Sequence, residues 1–123
     1  MTLKELIAEV VLKIPSKTLG GYLLNNIPDW SIMQTATIII EHCEKVASLA
    51  LIEQLISVTE EETDRTLLRA ALKDLQEFGY IDEETNRIYR ERFSGEVFPR
   101  YPFLEKCYLP VMFGVGDVIS FQN

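Results

Sequence analysis

The sequence has few of the residues that usually build catalytic and metal sites. It contains one histidine, His42, and two cysteines, Cys43 and Cys107, among 123 residues. Two cysteines are too few for a disulfide framework or a zinc site. On a helix, the neighbouring side chains of His42 and Cys43 would point about 100° apart and could not act together as base and nucleophile. We therefore expect a protein that is not an enzyme and has no metal site and no cofactor.

Long apolar runs are also missing. No run approaches the roughly 20 residues that a membrane-spanning helix requires, and the N-terminus has the pattern of an amphipathic helix rather than a secretion signal. The composition is 47% hydrophobic and 25% charged over 123 residues, which suits one globular domain. We expect a cytoplasmic protein without membrane contact.

Positive charge is scarce as well. Twelve Lys and Arg stand against nineteen Asp and Glu, giving a net charge of −7. Such a balance repels a polyanion unless the cations lie together on one face. Only residues 87–106 hold more basic than acidic side chains, with five against three. Nucleic acid is therefore an unlikely partner, and any basic surface should come from this segment.

Apolar residues at helical spacing predict a mainly α fold of about four helices within residues 1–93. Thr2 and Glu5 form a capping box before a helix at about 3–14, which Pro15 ends. Residues 16–28, with two glycines and two asparagines, are predicted to be a connection. A second helix follows, with Asp29 or the pair Ser31 and Gln34 as possible caps. Its β-branched run at 35–40 also suits a strand, but the flanking signals favour a helix.

The third helix is predicted at about 45–57, with a broad apolar face that includes Val46 and Ala50. Thr59 and Glu62 resemble a capping box at the start of a fourth helix, and Gly79 would cap its C-terminal end. For residues 80–89 the sequence leaves two alternatives, a short β-hairpin or a loop into another helical segment.

Residues 94–123 form a proline- and aromatic-rich extension that should pack on the helices. Within it, 108–113 and 118–121 are predicted to be short strands around a Gly-Val-Gly-Asp turn, giving a small β element at the C-terminal end as a hairpin or edge strands. Two strands alone are marginally stable. They would pack on the helices, pair with a second copy, or belong to a sheet completed by further chain.

Two resemblances to known proteins stand beside this interpretation. Asp29-Trp30, the following apolar helices and the acidic turn at 59–64 together resemble the helical region of uncharacterised bacterial or phage-type proteins. In those proteins a segment similar to 109–119 often opens a β-rich part, so the resemblance covers about residues 28–121. It implies no activity, but it implies that the chain can be the front piece of a longer protein.

The second resemblance is to winged-helix domains, in which residues 67–80 would be the recognition helix and the residues up to 90 the wing hairpin. This resemblance implies nucleic-acid binding through Arg65, Arg69, Arg87, Arg90 and Arg92. DNA readout requires cations and amides at the start of the recognition helix. In this sequence Glu60, Glu61, Glu62 and Asp64 stand at that end of the helix, and their negative charge opposes DNA binding.

The candidate interaction surface combines arginines with aromatic residues, a mixture enriched at protein interface hot spots. Its members are Arg87, Tyr89, Arg90, Arg92, Phe93, Phe98, Arg100, Tyr101 and Phe103. The alternative is that these arginines pair with the acids of the helices while the aromatics fill a core. We favour a protein-interaction or regulatory module that binds a protein partner or self-associates. A third hypothesis is an acidic inhibitor or immunity-type protein that covers a basic enzyme surface with Glu60, Glu61, Glu62 and Asp64.

Overall fold

Six helices make up the part of the chain that the computed structural model describes, namely residues 1–26, 29–93 and 98. They are α1 (Leu3–Lys13), α2 (Lys17–Asn26), α3 (Ile32–His42), α4 (Lys45–Val58), α5 (Glu62–Glu77) and α6 (Glu83–Phe93). No strand occurs among these described residues. The mainly helical class is therefore confirmed, with six helices instead of about four. The predicted strands at 108–113 and 118–121 lie outside the described residues.

Two of the predicted helix starts are present in full. The Thr2 hydroxyl accepts a hydrogen bond from the Glu5 backbone N–H, and the Glu5 carboxylate accepts one from the Thr2 N–H. Ser31 and Gln34 make the same reciprocal pair at the start of α3. The alternative cap, Asp29, lies before this box. Each box satisfies backbone donors that a helix start otherwise leaves unpaired.

The predicted connection at 16–28 is wrong, because most of it forms α2. Ser16 begins the helix, with its hydroxyl accepting from the Leu19 N–H at 3.1 Å. Gly20 is buried against α1, and a Cβ built on it would lie 3.4 Å from a methyl carbon of Val11. The two glycines suggested a loop because glycine weakens an isolated helix. Here α2 packs on α1 with Gly20 buried in the contact, so tertiary packing outweighs the local preference.

Helix α4 lies at the centre of the bundle and packs on α1, α3 and α5. Its buried residues are Ser48, Leu51, Ile52 and Leu55. The predicted apolar face is therefore only partly right, since Val46 is 82% exposed and Ala50 is also on the surface. The Ser48 hydroxyl lies 3.0 Å from the Ile39 carbonyl oxygen and 3.1 Å from that of Cys43. This serine ties the end of α3 to the start of α4.

The predicted capping box at Thr59 is also wrong. The Thr59 hydroxyl donates to the Leu55 carbonyl at 2.6 Å, so this residue ends α4 instead of starting α5. The N-cap of α5 is Glu61, which makes no side-chain capping bond. The predicted C-terminal glycine is confirmed, because Gly79 has a φ of 82° and its N–H donates to the Leu75 carbonyl. Such a left-handed residue commonly ends a helix.

Residues 83–93 form helix α6, so the hairpin alternative for 80–89 is wrong and the helical one is confirmed. A wing hairpin is thus not present at the place where the winged-helix resemblance requires it. The core draws on every helix except α2 for its large apolar side chains, with Leu6, Val10, Met33, Ile39, Ile52, Leu55, Leu68, Leu75, Ile81 and Tyr89 all less than 2% exposed.

Candidate functional site

Five of the nine residues of the candidate surface lie on α6, which follows α5 after a short turn and packs on it. Asp74 of α5 holds this turn: its Oδ2 accepts from the Asp82 N–H at 3.0 Å and from the Thr85 hydroxyl at 2.8 Å. The Asp82 carboxylate in turn accepts from the Glu84 N–H at 3.0 Å, as an N-cap does. A side chain of the preceding helix therefore fixes where α6 begins and which of its faces packs on α5.

Tyr89 faces the core and not the solvent. It is fully buried, and its hydroxyl lies 2.9 Å from Thr37 Oγ1 and 3.2 Å from the Met33 carbonyl oxygen, both in α3. The ring of Tyr89 lies beside that of Phe93, with centroids 5.2 Å apart. Among the predicted surface residues, Tyr89 is thus a core residue that joins α6 to α3.

Phe98 is held against the same part of α6. Its side chain is 2% exposed, and its ring centroid lies 4.2 Å from that of Tyr89. The Asn86 side chain binds both backbone polar groups of Phe98: its amide nitrogen donates to the Phe98 carbonyl at 3.0 Å, and its amide oxygen accepts from the Phe98 N–H at 2.8 Å. We call Asn86 and Tyr89 together the Phe98 clasp. Asn86 is not among the predicted site residues, because no sequence pattern distinguishes it from the other polar residues between 82 and 87.

Two of the predicted arginines are bound to carboxylates of the same protein. Arg87 forms ion pairs with Glu84 and Glu91 along α6. Its hydrogen bond and charge lower the pKa of Glu84, and the same pair raises the pKa of Arg87. Arg92 instead crosses to α5, where its guanidinium lies 2.8 Å from a Glu61 carboxylate oxygen. These contacts match the alternative in which the arginines neutralise acids of the helices.

Most of the carboxylates at the start of α5 form ion pairs with arginines of the same chain. Besides Glu61, Arg92 binds Asp64 at 3.2 Å, and Asp64 is only 13% exposed. Glu62 lies 3.8 Å from Arg65 and 3.3 Å from Arg69. This arrangement weakens the acidic-inhibitor hypothesis, because three of the four carboxylates proposed to meet a basic enzyme already contact arginines of their own chain.

Arg90 differs from these arginines. It is exposed, and it forms no ion pair with any residue that the structure describes. Together with Arg87 it borders an open cleft of about 390 Å³ along α6, whose described lining residues are Glu83, Glu84, Asn86, Arg87 and Arg90. The cleft carries charges of both signs and shares Asn86 with the clasp. Arg100, Tyr101 and Phe103 lie outside the described residues.

His42 and Cys43 do not face each other as a reactive pair. The Cys43 thiol is fully buried and lies 3.9 Å from the Val10 carbonyl oxygen. His42 Nε2 lies 3.1 Å from a carboxylate oxygen of Glu41, and its buried Nδ1 has no hydrogen-bond partner among the residues that the structure describes. Cys107 lies outside the described residues. The described residues contain no group of three His, Cys, Asp or Glu side chains that could hold a metal ion.

None of the described helices is both long and apolar enough to span a bilayer. No family model, no curated protein sequence and no solved structure matches the chain.

Proposed function

We propose that this chain is a non-enzymatic protein-interaction module that contacts a protein partner through the outer face of α6. The observation that carries the proposal is the open cleft bordered by Glu83, Glu84, Arg87 and Arg90. Small-molecule sites are mostly enclosed and apolar, whereas the rims of protein interfaces are polar and exposed. Arginine is also enriched among the residues that dominate interface energies.

The ion pairs favour a protein over a nucleic acid as the partner. Phosphate binding depends on cations that can exchange their counterions for phosphates. Arg65, Arg69, Arg87 and Arg92 each contact a carboxylate of the same chain, and the whole protein carries a net charge of −7. A polyanion would have to break these pairs, whereas a protein partner can offer both carboxylates and cations to the mixed charges of α6.

The test reverses the charge of the arginines on this face. The double variant Arg87→Glu/Arg90→Glu is compared with Lys4→Glu/Lys73→Glu, which makes the same change of charge at exposed positions of α1 and α5. Proteins captured by the wild-type chain are identified, purified and titrated against all three forms, and self-association is measured by sedimentation equilibrium.

We expect the α6 variant to weaken partner binding, or self-association, by roughly tenfold or more, which corresponds to about 1.4 kcal/mol. The control should stay within about twofold of the wild type, since charges outside an interface contribute little to affinity. Equal loss in both variants would indicate a general charge effect and contradict the proposal. Full binding by the α6 variant would exclude this face as the contact.

A further inference from the structure

We propose that the Phe98 clasp is a recognition site for an extended peptide segment with an aromatic side chain, occupied by Phe98 of the same chain until a partner's segment displaces it. This inference rests on the proposed function, because the clasp and the charged cleft share Asn86. It identifies the chemistry of the partner segment: an extended backbone that pairs with an amide, and a ring that packs on Tyr89.

The two hydrogen bonds of Asn86 carry the backbone part of this recognition. One residue of an extended strand exchanges an N–H and a C=O bond with its neighbour in a β-ladder, and the Asn86 amide reproduces that pattern with Phe98. Peptide sites of the strand-addition type use such main-chain bonds for affinity and a side-chain pocket for specificity. Because the bonds go to the backbone, any residue of suitable shape can replace Phe98.

Tyr89 supplies the aromatic contact, and its position does not depend on Phe98. Its hydroxyl is fixed by Thr37 and by the Met33 carbonyl, both in α3. When Phe98 leaves, these bonds hold Tyr89 in place, and the part of its ring that Phe98 contacts becomes available to an incoming segment. An aromatic pair at a centroid distance of 4.2 Å gains more than the burial of the same area by aliphatic groups, so the site prefers Phe, Tyr or Trp.

The short tether explains how the site would be kept closed. Four residues separate Phe93, the end of α6, from Phe98. A ligand joined by so short a linker acts at an effective concentration of roughly millimolar or more, against which a free segment must compete. The apparent affinity for a partner is thus reduced by the fraction of molecules whose clasp is already filled. Removal of the Phe98 ring should consequently strengthen peptide binding.

The experiment uses the full 123-residue chain and a fluorescent synthetic peptide with the sequence of residues 94–100, capped at both ends. Binding is measured by anisotropy for the wild type, for Phe98→Ala, and for the double variant Phe98→Ala/Asn86→Ala. A peptide with alanine in place of its phenylalanine serves as the ligand control. Phe78→Ala, which removes a 53% exposed ring, serves as the protein control.

We expect Phe98→Ala to bind the peptide at least tenfold more tightly than the wild type, as relief from a tethered competitor requires. The double variant should lose this gain, the control peptide should bind none of the proteins, and Phe78→Ala should behave as the wild type. Equal affinity of the wild type and Phe98→Ala for the peptide would overturn the inference. So would tight binding that persists without Asn86.

Two further measurements keep the test decisive where loss of a buried ring unfolds the protein. Phe98→Leu keeps apolar bulk in the clasp and should give a smaller gain than Phe98→Ala. In the wild type, millimolar peptide should shift the NMR signals of the Asn86 side-chain amide and of the Phe98 N–H. Unchanged signals together with no gain in Phe98→Leu would contradict the inference.

The outcome is separable from that of the proposed function. All clasp variants keep Arg87 and Arg90, and the charge-reversal variant keeps Asn86, Tyr89 and Phe98. Partner binding that depends on the arginines together with a clasp that ignores the peptide would refute this inference alone. Peptide binding at the clasp together with a partner that is indifferent to Arg87 and Arg90 would refute the charged face as the contact.

Discussion

The hydroxyl of Tyr89 in α6 and that of Thr37 in α3 lie 2.9 Å apart, although 52 residues separate them in the sequence. The Thr37 hydroxyl also donates to the Met33 carbonyl, 2.9 Å away, and the Tyr89 hydroxyl lies within 3.2 Å of the same oxygen. This small network satisfies the polar end of a fully buried side chain, as buried hydroxyls require. It also joins α6, which packs mainly on α5, to the other side of the bundle.

We predict that Tyr89→Phe lowers the free energy of unfolding by about 1 kcal/mol, because the variant loses a buried hydrogen bond but keeps the ring. Thr37→Val should cost a similar amount, and the two changes should not add, because each removes the same contact. Urea denaturation of the two single variants and the double variant measures the coupling. Tyr22→Phe, at a ring that is 62% exposed, is the control and should change stability by less than about 0.5 kcal/mol. Fully additive losses would contradict the shared bond.

Ser48 offers a second test, at the junction of α3 and α4. Ser48→Ala should lower the free energy of unfolding by about 1 kcal/mol or somewhat more, because its hydroxyl bonds to the carbonyls of Ile39 and Cys43 in a buried place. Ser57→Ala removes a comparable bond to the Gln54 carbonyl on the surface, where water can replace it. Thermal and urea unfolding of both variants should show a loss for Ser48 only. Equal stability of the two variants would mean that the junction of α3 and α4 does not need the Ser48 hydroxyl.

The helices that the sequence predicted are those whose signals are local. The capping boxes at Thr2 and Ser31 and the glycine after α5 each act within a few residues of the helix end they determine. The missed helix α2 depends instead on contact with α1 at Gly20, and α6 depends on Asp74 of the preceding helix. No pattern within 16–28 or 80–93 reveals such tertiary support, so the sequence predicted a connection at 16–28 and left a hairpin and a helical segment as alternatives after residue 80.

The sequence predicted which residue types belong to the candidate site, but not which of their side chains face the core and which face the surface. Because the sequence did not fix the bounds of a helix after residue 80, it did not show that Asn86 and Tyr89, three residues apart, both contact Phe98. Nor did it show that Arg87 and Arg90 border a cleft that Asn86 also lines. Aromatic residues and arginines were therefore grouped as one surface. The structure divides them, with Tyr89 and Phe98 in the core and Arg87, Arg90 and Arg92 on the surface.

Alanine substitutions at Gly21 and Gly79 should change the stability of the protein in opposite directions. Gly21 lies within α2, and a Cβ there would meet nothing within 4 Å, so Gly21→Ala should raise the free energy of unfolding by roughly 0.5–1 kcal/mol. Gly79 has a φ of 82°, which an alanine adopts at a cost of roughly 1–2 kcal/mol. Gly79→Ala should therefore lower the free energy of unfolding. Melting temperatures of the two variants should therefore move in opposite directions. A stabilised Gly79→Ala would contradict the left-handed cap.

The ion pair between Glu84 and Arg87 predicts a local dependence on pH. The hydrogen bond from Arg87 and its nearby positive charge hold the pKa of the Glu84 carboxyl below its usual value. A carboxyl whose pKa is lower in the folded than in the unfolded state stabilises the fold above its unfolded pKa. This contribution disappears as the pH falls through the folded pKa. The pair is exposed, so salt should weaken it and its share of the stability should be small.

We expect Arg87→Gln to raise the pKa of Glu84 toward its usual value in a ¹³C NMR titration of the side-chain carboxyl. Arg69→Gln, which removes a guanidinium paired with Glu62, should leave the pKa of Glu84 unchanged. A pKa of Glu84 that stays low without Arg87 would show that the start of α6, and not the arginine, stabilises the carboxylate.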